Sequence, residues 1–409
     1  MCIAVKYGIW NVGQPESGAV NALVGCGYAP LTAMVLSARG IHDLRQANAY
    51  LSCDAELYDP FLMTDMDLAA GRVGLAMTRG EKIAVFGDYD VDGITATCLL
   101  TAFLRQHGAD VVSYIPGRLE EGYGLNPIAI NQLNREGVKL IITVDCGITA
   151  VEEAQLCKQL GIDLVITDHH ECKDVLPEAI AVVDPHRPDG GYPHKNLSGV
   201  GVAFKLAAAL SGDQEAVLEE YADMVCLGTV ADVMLLQGEN RVFVTKGLES
   251  LRNTRRPGIA ALMKESGCAQ ETVSSSSIGF MLAPRINAAG RMGQIDLAVD
   301  LFLTDDPEKA SELAKALCDL NRQRQSVESG IYDQAVSMLP EGKTPEAIVL
   351  ADETWHQGVV GIVASRIAEE FCCPTFLICL DGDHGKASSR SFGGFNLFAS
   401  LTALSDLLE

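Results

Sequence analysis

Ile83-Ala84-Val85-Phe86-Gly87-Asp88-Tyr89-Asp90-Val91-Asp92-Gly93 runs from four consecutive apolar residues straight into three acids spaced two apart. Two further stretches repeat the arrangement: Leu140 to Val144 leads into Asp145-Cys146-Gly147, and Leu164 to Ile166 into Thr167-Asp168-His169-His170. Short apolar runs separated by helix-like stretches read as successive strands of a parallel α/β sheet. Ligands of such sheets bind where the strands end. Acids and histidines gathered at one sheet edge repel one another unless cations sit among them, so the pattern points to bound divalent metal. Three ordinary strand-to-helix loops are the simplest alternative.

At 409 residues the chain exceeds one ordinary core, and two or three domains are expected. Composition is globular, 48% hydrophobic and 21% charged. No apolar run reaches the roughly 18 residues of a membrane span, and Met1-Cys2-Ile3-Ala4-Val5-Lys6 lacks the layout of a secretory signal. A cytoplasmic protein with no membrane partner is expected. The thirteen cysteines are scattered and odd in number, and Cys98, Cys226 and Cys379 lie within apolar segments, so they read as reduced core residues. Cys372-Cys373 has no zinc pattern around it.

The net charge of −23 argues against coating nucleic acid by bulk attraction. A channel with local positive charge remains compatible with it. Arg252, Arg255 and Arg256 form one basic cluster, Arg285 and Arg291 a second, and Arg322 and Arg324 a third; Arg366, Lys386 and Arg390 lie near the C-terminus. For the first and third clusters, solvated arginines balancing surplus acids are an equally good reading.

Residues 1–75 read as a small helical preface without chemistry. Strand and helix alternate from Ile83 through Ala181 to Val183. Val202 to Leu210 and Glu215 to Leu236 are helical by pattern, with Asp232 inside the second. From Pro307 to about Leu339, Leu313, Leu317, Leu320, Val327 and Ile331 recur at near-helical spacing, which predicts one long helix. Ala347 to Leu350 and Thr375 to Cys379 read as strands around a helix at Gly358 to Ala368, a separate smaller α/β domain. Leu397 to Leu408 looks helical and stops without a cap, so a fragment ending inside that domain is expected.

Asp88-x-Asp90-x-Asp92-Gly93 also opens like a calcium-binding helix-loop-helix. The twelfth position of such a loop takes Glu and here is Leu99, and a strand, not a helix, precedes it. An aspartyl-phosphate phosphatase pattern is approximated by Asp90, Asp92, Gly93 and Thr95, but leaves Asp145, His169 and His170 without roles. Taking the segments together is more economical: two hard divalent ions held by carboxylates and imidazole stabilise the attacking and leaving oxygens of a phosphoryl displacement. Asp and His ligands without thiolate favour Mn²⁺ or Mg²⁺. His169, directly at the strand end, is the better ligand; His170 suits a substrate phosphate.

These residues carry a resemblance. Asp88-Tyr-Asp90-Val-Asp92-Gly, Val144-Asp145-Cys-Gly147, Asp168-His169-His170 and Gly228-Thr-Val-Ala-Asp232 resemble the four ordered motifs of the DHH phosphoesterase superfamily. More narrowly the chain is similar to the RecJ single-stranded-DNA exonucleases, through Pro116-Gly-Arg118-Leu-Glu-Glu-Gly122-Tyr-Gly124, Gly279-Phe-Met-Leu-Ala-Pro284-Arg285-Ile-Asn287-Ala-Ala-Gly290-Arg291, Trp355-His356-Gln-Gly358-Val-Val-Gly361-Ile and Ser388-Ser389-Arg390-Ser391. The resemblance covers about residue 80 to the end.

What it implies is an α/β protein: a parallel-sheet DHH domain (76–304) joined by a long helix (305–340) to a smaller α/β C-terminal domain (341–409, truncated). It implies Asp90, Asp92, Asp145, His169 and Asp232 as ligands of two Mn²⁺ or Mg²⁺ ions. Asp88 would be an added ligand, His170 the contact to the scissile phosphate and Asp168 the residue that orients a histidine. Many relatives carry a histidine where this chain has Phe86, which leaves Asp88 to compensate. Arg118, Arg285, Asn287 and Arg291 become candidates for phosphate contacts along the strand, and Ser388 with Arg390 for a terminal phosphate, since guanidinium groups offer paired planar donors. The family's Gly-Ser-Gly-Arg-Ser is Ala387-Ser388-Ser389-Arg390-Ser391 here.

The implied function is 5′→3′ hydrolysis of single-stranded DNA to nucleotide 5′-monophosphates in DNA repair and recombination, with a single-strand-binding protein or a helicase as partner. The alternatives are a DHH phosphodiesterase of short oligoribonucleotides or cyclic dinucleotides, and an inactive replication scaffold.

Overall fold

The computed structural model describes residues 12–52, 56–118, 121–122, 124–340, 345–404 and 407. Leu119, Glu120 and Tyr123 of the Pro116–Gly124 motif lie outside the described residues, as do the first eleven residues of the preface. Two compact units emerge. One comprises Gly13–Cys318, the other principally Asp319–Glu409.

The larger unit is organised by five parallel strands, β1 (Ile83–Phe86), β2 (Val111–Tyr114), β3 (Leu140–Val144), β4 (Asp163–Thr167) and β5 (Ala181–Val183), in the order β2-β1-β3-β4-β5. Every residue of β1 and β3 is buried, because helices cover both faces of the sheet and leave no solvent side to alternate with. Side chains still divide by period two. Ile83, Val85, Leu140 and Ile142 join the core beneath the helices Met66–Arg79, Val91–Gln106, Gly199–Ser211 and Gln214–Ala231. Ala84, Phe86 and Ile141 join the opposite core, beneath Pro127–Arg135 and Val151–Leu160. Phe86 is fully buried and stacks on Tyr114 at 5.4 Å between ring centres, a core side chain with no ligand atom to offer.

Register brings the three strand ends level. Phe86 pairs with Thr143 and Val144 with Thr167, so Asp88, Asp145 and Asp168 leave the sheet at one edge. The chain order reverses between β1 and β3, which opens the crevice where sheets of this order bind ligands.

Several expected boundaries move. The division at 75/76 falls inside the helix Met66–Arg79, whose Met66, Ala69, Val73 and Ala76 are core residues under the sheet. The segment before it is tied in by a buried ion pair of Lys205 with Glu239: Lys205 Nζ donates to Tyr58 O at 2.7 Å, and Tyr58 N donates to Glu239 Oε1 at 2.9 Å. The long helix spans Pro307–Ser337, and the division between units falls within it rather than at an end. The helix expected to reach Leu236 stops at Ala231, although Val233 to Leu236 continue its apolar pattern.

The smaller unit pairs β6 (Ile348–Asp352) parallel with β7 (Thr375–Asp381), and β7 antiparallel with β8 (His384–Arg390). The helix Gln357–Phe371 packs Val359, Val363 and Ile367 into its core. The Ala387–Ser391 motif lies largely on the edge strand β8, whose mostly exposed polar residues carry no apolar signal. The terminal helix is Leu397–Thr402, shorter than expected, and Ser405, Asp406, Leu408 and Glu409 lie outside the described residues.

Candidate metal centre

Asp90 caps the helix Val91–Gln106, its Oδ1 accepting from Asp92 N at 2.9 Å and Gly93 N at 3.1 Å, donors that the first turn leaves without partners. Asp92 then enters the first turn and points at a second helix end. Its Oδ2 accepts from Gly199 N at 2.6 Å and its Oδ1 from Val200 N at 2.9 Å, the start of Gly199–Ser211. Two helix N-termini therefore support this one carboxylate. Asp145 follows β3 with φ of +59°, a left-handed conformation that Asp and Asn adopt more readily than other side chains. Close approach is enforced by glycine: a Cβ on Gly199 would lie 2.4 Å from the Cβ of Asp145, and one on Gly228 would lie 2.6 Å from Asp92 Oδ1.

After β4, Asp168 turns back into the protein. It accepts backbone N–H groups from Ile148 (2.9 Å), His169 (2.7 Å) and His170 (3.2 Å), and its Oδ1 lies 2.7 Å from His170 Nδ1. A carboxylate only accepts, so Nδ1 of His170 carries the proton. His169 faces the opposite way, its Nε2 lying 3.0 Å from Asp145 Oδ1, 3.8 Å from Asp232 Oδ2 and 3.9 Å from Asp92 Oδ2. Its ring also hydrogen-bonds the Leu197 backbone, which leaves Nε2 to face the acids.

Asp232 is the C-cap of Gln214–Ala231, where the helix dipole disfavours an acid. The chain leaves through Val233 at φ of +57°, closed by a hydrogen bond from Met234 N to Thr229 O of 3.3 Å. A β-branched residue in this region is strained by about 1–2 kcal/mol.

Electrostatics mark the cluster as incomplete by itself. Burial and the charge of Asp90 push Asp88 up to about 7, and burial with Asp90 pushes Asp232 up to about 6. Burial and mutual repulsion hold Asp92 and Asp145 well above the usual carboxylate range. Burial and His170 lower His169 to about 4, so its ring is neutral. His170 goes the other way, raised to about 9 chiefly by its hydrogen bond to Asp168. Burial works to raise Asp168, but His170 and the backbone donors bring it below its ordinary value. Asp88 Oδ1 is buried without a hydrogen-bond donor, as is Asp145 Oδ1, whose approach to His169 lacks hydrogen-bond alignment. Orphaned carboxylate oxygens beside a neutral imidazole fit hard divalent cations. Three ligand groups have donor atoms within 4.8 Å of one another: Asp88, Asp90 and Asp145; Asp92, His169 and Asp232; and Asp145, His169 and His170.

The other expected site residues divide. The Arg118 guanidinium lies 4.7 Å over the Tyr89 ring, and the Tyr89 hydroxyl feels the charges of both Arg118 and Arg291. Asn287 Oδ1 accepts from Val91 N at 3.2 Å, which fixes the acidic loop. Arg285 donates to Met281 O, with its Nε buried and without a partner. Ser388 and Arg390 belong to the smaller unit, where Arg390 Nε donates to Ser365 Oγ at 2.7 Å and Ser388 Oγ would lie 3.2 Å from a Cβ on Gly361. Arg256 of the first basic cluster is engaged by Asp223, and Arg324 of the third by Glu328. Sequence reading missed Gly199 and Val200; Ser198, whose Oγ caps Gly201 N at 3.2 Å, was the available sign of a helix start there.

Protons and cations compete for these acids, which sets a pH dependence. The native pKa values of Asp88 and Asp232 exceed the unfolded value of about 3.9, so the metal-free fold binds more protons than the unfolded chain. Their contribution to its stability is fully present below the unfolded value and is lost as pH rises through about 6 to 7. Metal affinity rises over the same window. The increase in melting temperature on adding Mn²⁺ in place of EDTA is therefore expected to grow from pH 5.5 to pH 8, the underlying stabilisation being about 2.7 kcal/mol where Mn²⁺ stands at a hundredfold excess over Kd. Scanning fluorimetry measures it, and an increment equal or larger at pH 5.5 would contradict the proton–metal competition.

Comparison with known proteins places the chain among relatives. Residues 82–229 match the DHH family, N-terminal domain. The single-stranded-DNA-specific exonuclease RecJ of Bacillus subtilis is 43% identical over 404 residues, 98% of this chain and 51% of that protein. The Escherichia coli protein of the same name is 38% identical, over 81% of this chain and 61% of its own length. The chain thus spans about half to three-fifths of these curated relatives. Among solved structures, exonuclease RecJ bound to manganese is 37% identical with a TM-score of 0.74, covering 84% of this chain and 86% of that one. RecJ of Thermus thermophilus in complex with Mn²⁺ is 32% identical with a TM-score of 0.83, covering 97% and 57%. Strand order, acidic strand ends and these likenesses agree, and the chain belongs to the RecJ exonuclease family.

Proposed function

We propose that this chain is a divalent-metal-dependent exonuclease that removes nucleotide 5′-monophosphates from the 5′ end of single-stranded DNA, in repair and recombination. The observation that carries the reading is the gathering of five acids and His169 at one sheet edge, beside a His170 held as a cation by Asp168. Asp88, Asp90, Asp92, Asp145, His169 and Asp232 would hold two Mn²⁺ or Mg²⁺ ions. Such ions supply Lewis-acid stabilisation and an acidified water. The relatives named above carry single-stranded-DNA-specific exonuclease in their names and manganese in their structures.

The chain's own groups have separate tasks. Protonated near neutral pH, His170 offers charge and a proton to an oxygen of the scissile phosphate, and Asp168, bonded to its Nδ1, fixes the orientation of that ring. Water attacks phosphorus and the P–O3′ bond breaks. The released nucleotide keeps its own 5′-phosphate, and the shortened strand carries a new one. Arg118, Arg285 and Arg291 would bind flanking phosphates, with Asn287 holding the acidic loop, and Ser388 with Arg390 would take a terminal phosphate. A single-strand-binding protein or a helicase would deliver the unpaired strand.

With Mn²⁺ the 409-residue chain is expected to shorten a 5′-phosphorylated single strand and spare a blunt duplex, read by gel and by release of mononucleotides. Cleavage confined to dinucleotides would replace this reading with the short-oligonucleotide phosphodiesterase. No cleavage of any of these substrates by the folded, metal-binding protein would leave the scaffold.

A further inference from the structure

Val233 combines a disfavoured backbone conformation with an exposed apolar side chain. Its φ is +57° and the residue is 86% exposed. At this position after a helix the usual residue is glycine, which adopts left-handed geometry without strain. The helix terminus does not require valine, since its closing bond from Met234 N to Thr229 O is made by backbone alone. A single exposed aliphatic side chain is ordinary by itself. One that is also strained, and adjoins a candidate metal ligand, has a use.

The surroundings indicate what that use is. The cluster is closed on one side, where the side chains of Asp92, Asp145 and His169 are 1%, 3% and 9% exposed. It opens at Asp232 and His170, which are 30% and 47% exposed. Asp232 and His170 each place a ligand atom within 4.8 Å of one on His169, so both face the same cluster. Val233 directly follows one of these two residues, and Leu235, also exposed, follows two further on. A phosphate reaching the acids through this opening brings a nucleoside with it. The nucleobase has apolar faces, and the acids give them nothing to pack on.

We infer that Val233 is an apolar lip on which the base of the terminal nucleotide packs while its phosphate is at the metal centre. The inference rests on the nuclease reading and adds to it a base-contacting subsite without sequence preference, since every base presents such a face. Glycine at this position would relieve the strain and leave that face uncovered.

The test is Val233→Gly in the whole chain, assayed with Mn²⁺ on a 5′-phosphorylated single strand and on the same strand with an abasic terminal nucleotide. Metal affinity by calorimetry is expected to be unchanged, and the melting temperature equal or higher. KM for the intact strand is expected to rise about tenfold, the scale of one lost aliphatic contact, with kcat within about twofold. On the abasic strand the two proteins should converge, because the partner of the contact is gone. An unchanged KM on the intact strand overturns the inference, as does an equal loss on both strands. A wild type that leaves the intact strand uncut removes the nuclease reading and this inference with it; an active wild type with an indifferent variant removes the inference alone.

Discussion

Asp145→Asn is expected to lower Mn²⁺-dependent cleavage by at least about 10³-fold, the scale of losing a principal transition-state stabiliser, while raising the melting temperature of the metal-free protein. Asp145 belongs to two of the three ligand groups, and its Oδ1 is 3.0 Å from His169 Nε2. Asparagine keeps the shape and tolerates the φ of +59°, so the backbone has no reason to move. What disappears is a charge that burial and Asp92, Asp90, Asp88 and Asp168 all oppose. Removing it from the metal-free protein should stabilise the fold by about 1 kcal/mol, the usual yield when a functional site's strain is relieved. The increment produced by Mn²⁺ should shrink in the same variant. Opposite signs in EDTA and in Mn²⁺ distinguish a metal ligand from a structural acid, whose loss would lower stability in both. A variant that melts lower in EDTA and keeps the wild-type Mn²⁺ increment would remove Asp145 from the centre.

How much of this the sequence could disclose follows from what each element buries. β1 and β3 are covered on both faces, so their residues are continuously apolar and legible as strands; Asp88 and Asp145 are then placed at the edge by counting. β2 is a half-buried edge strand carrying Ser113, and β8 runs through Lys386, Ser388 and Ser389, so neither presents an apolar run. The helix end at Ala231 was hidden because Val233 to Leu236 keep up the apolar content while the backbone turns left-handed. That turn is also what sets Asp232 at the opening, so the boundary misjudged by periodicity is the one that matters to the site.

Ligand types were legible because Asp and His announce their chemistry. The groups that hold them are not. Asp92 is supported by backbone N–H groups of Gly199 and Val200, more than a hundred positions away, and the loop it sits in is fixed by Asn287, which is further still. Backbone donors have no residue signature, and such pairings become visible only when the chain is folded. Asn287 illustrates the consequence: family likeness marks it as a phosphate contact, while its Oδ1 accepts the amide of Val91. Positioning the acidic loop is a sufficient reason for an asparagine there.

The support around the acids yields the second large effect. Gly199→Ala is expected to cut activity about 10²-fold, on the principle that displacing a reacting group by about 1 Å costs that much, and to destabilise the fold by about 1–3 kcal/mol through overpacking. The added Cβ would lie 2.4 Å from Asp145 Cβ and 2.6 Å from its Oδ1, inside any tolerable contact. The helix start that carries Gly199 also donates to Asp92, so relief of the clash moves one carboxylate or releases the other. Mn²⁺ affinity should fall with activity, which calorimetry at fixed pH would register. Gly71→Ala supplies the contrast, because it lies within the helix Met66–Arg79 with no atom within 4 Å of its added Cβ. That change should stabilise by about 0.4–1 kcal/mol through the unfolded chain and leave metal affinity alone. Equal behaviour of the two variants would mean that Gly199 is only a helix residue and that Asp145 does not depend on the space beside it.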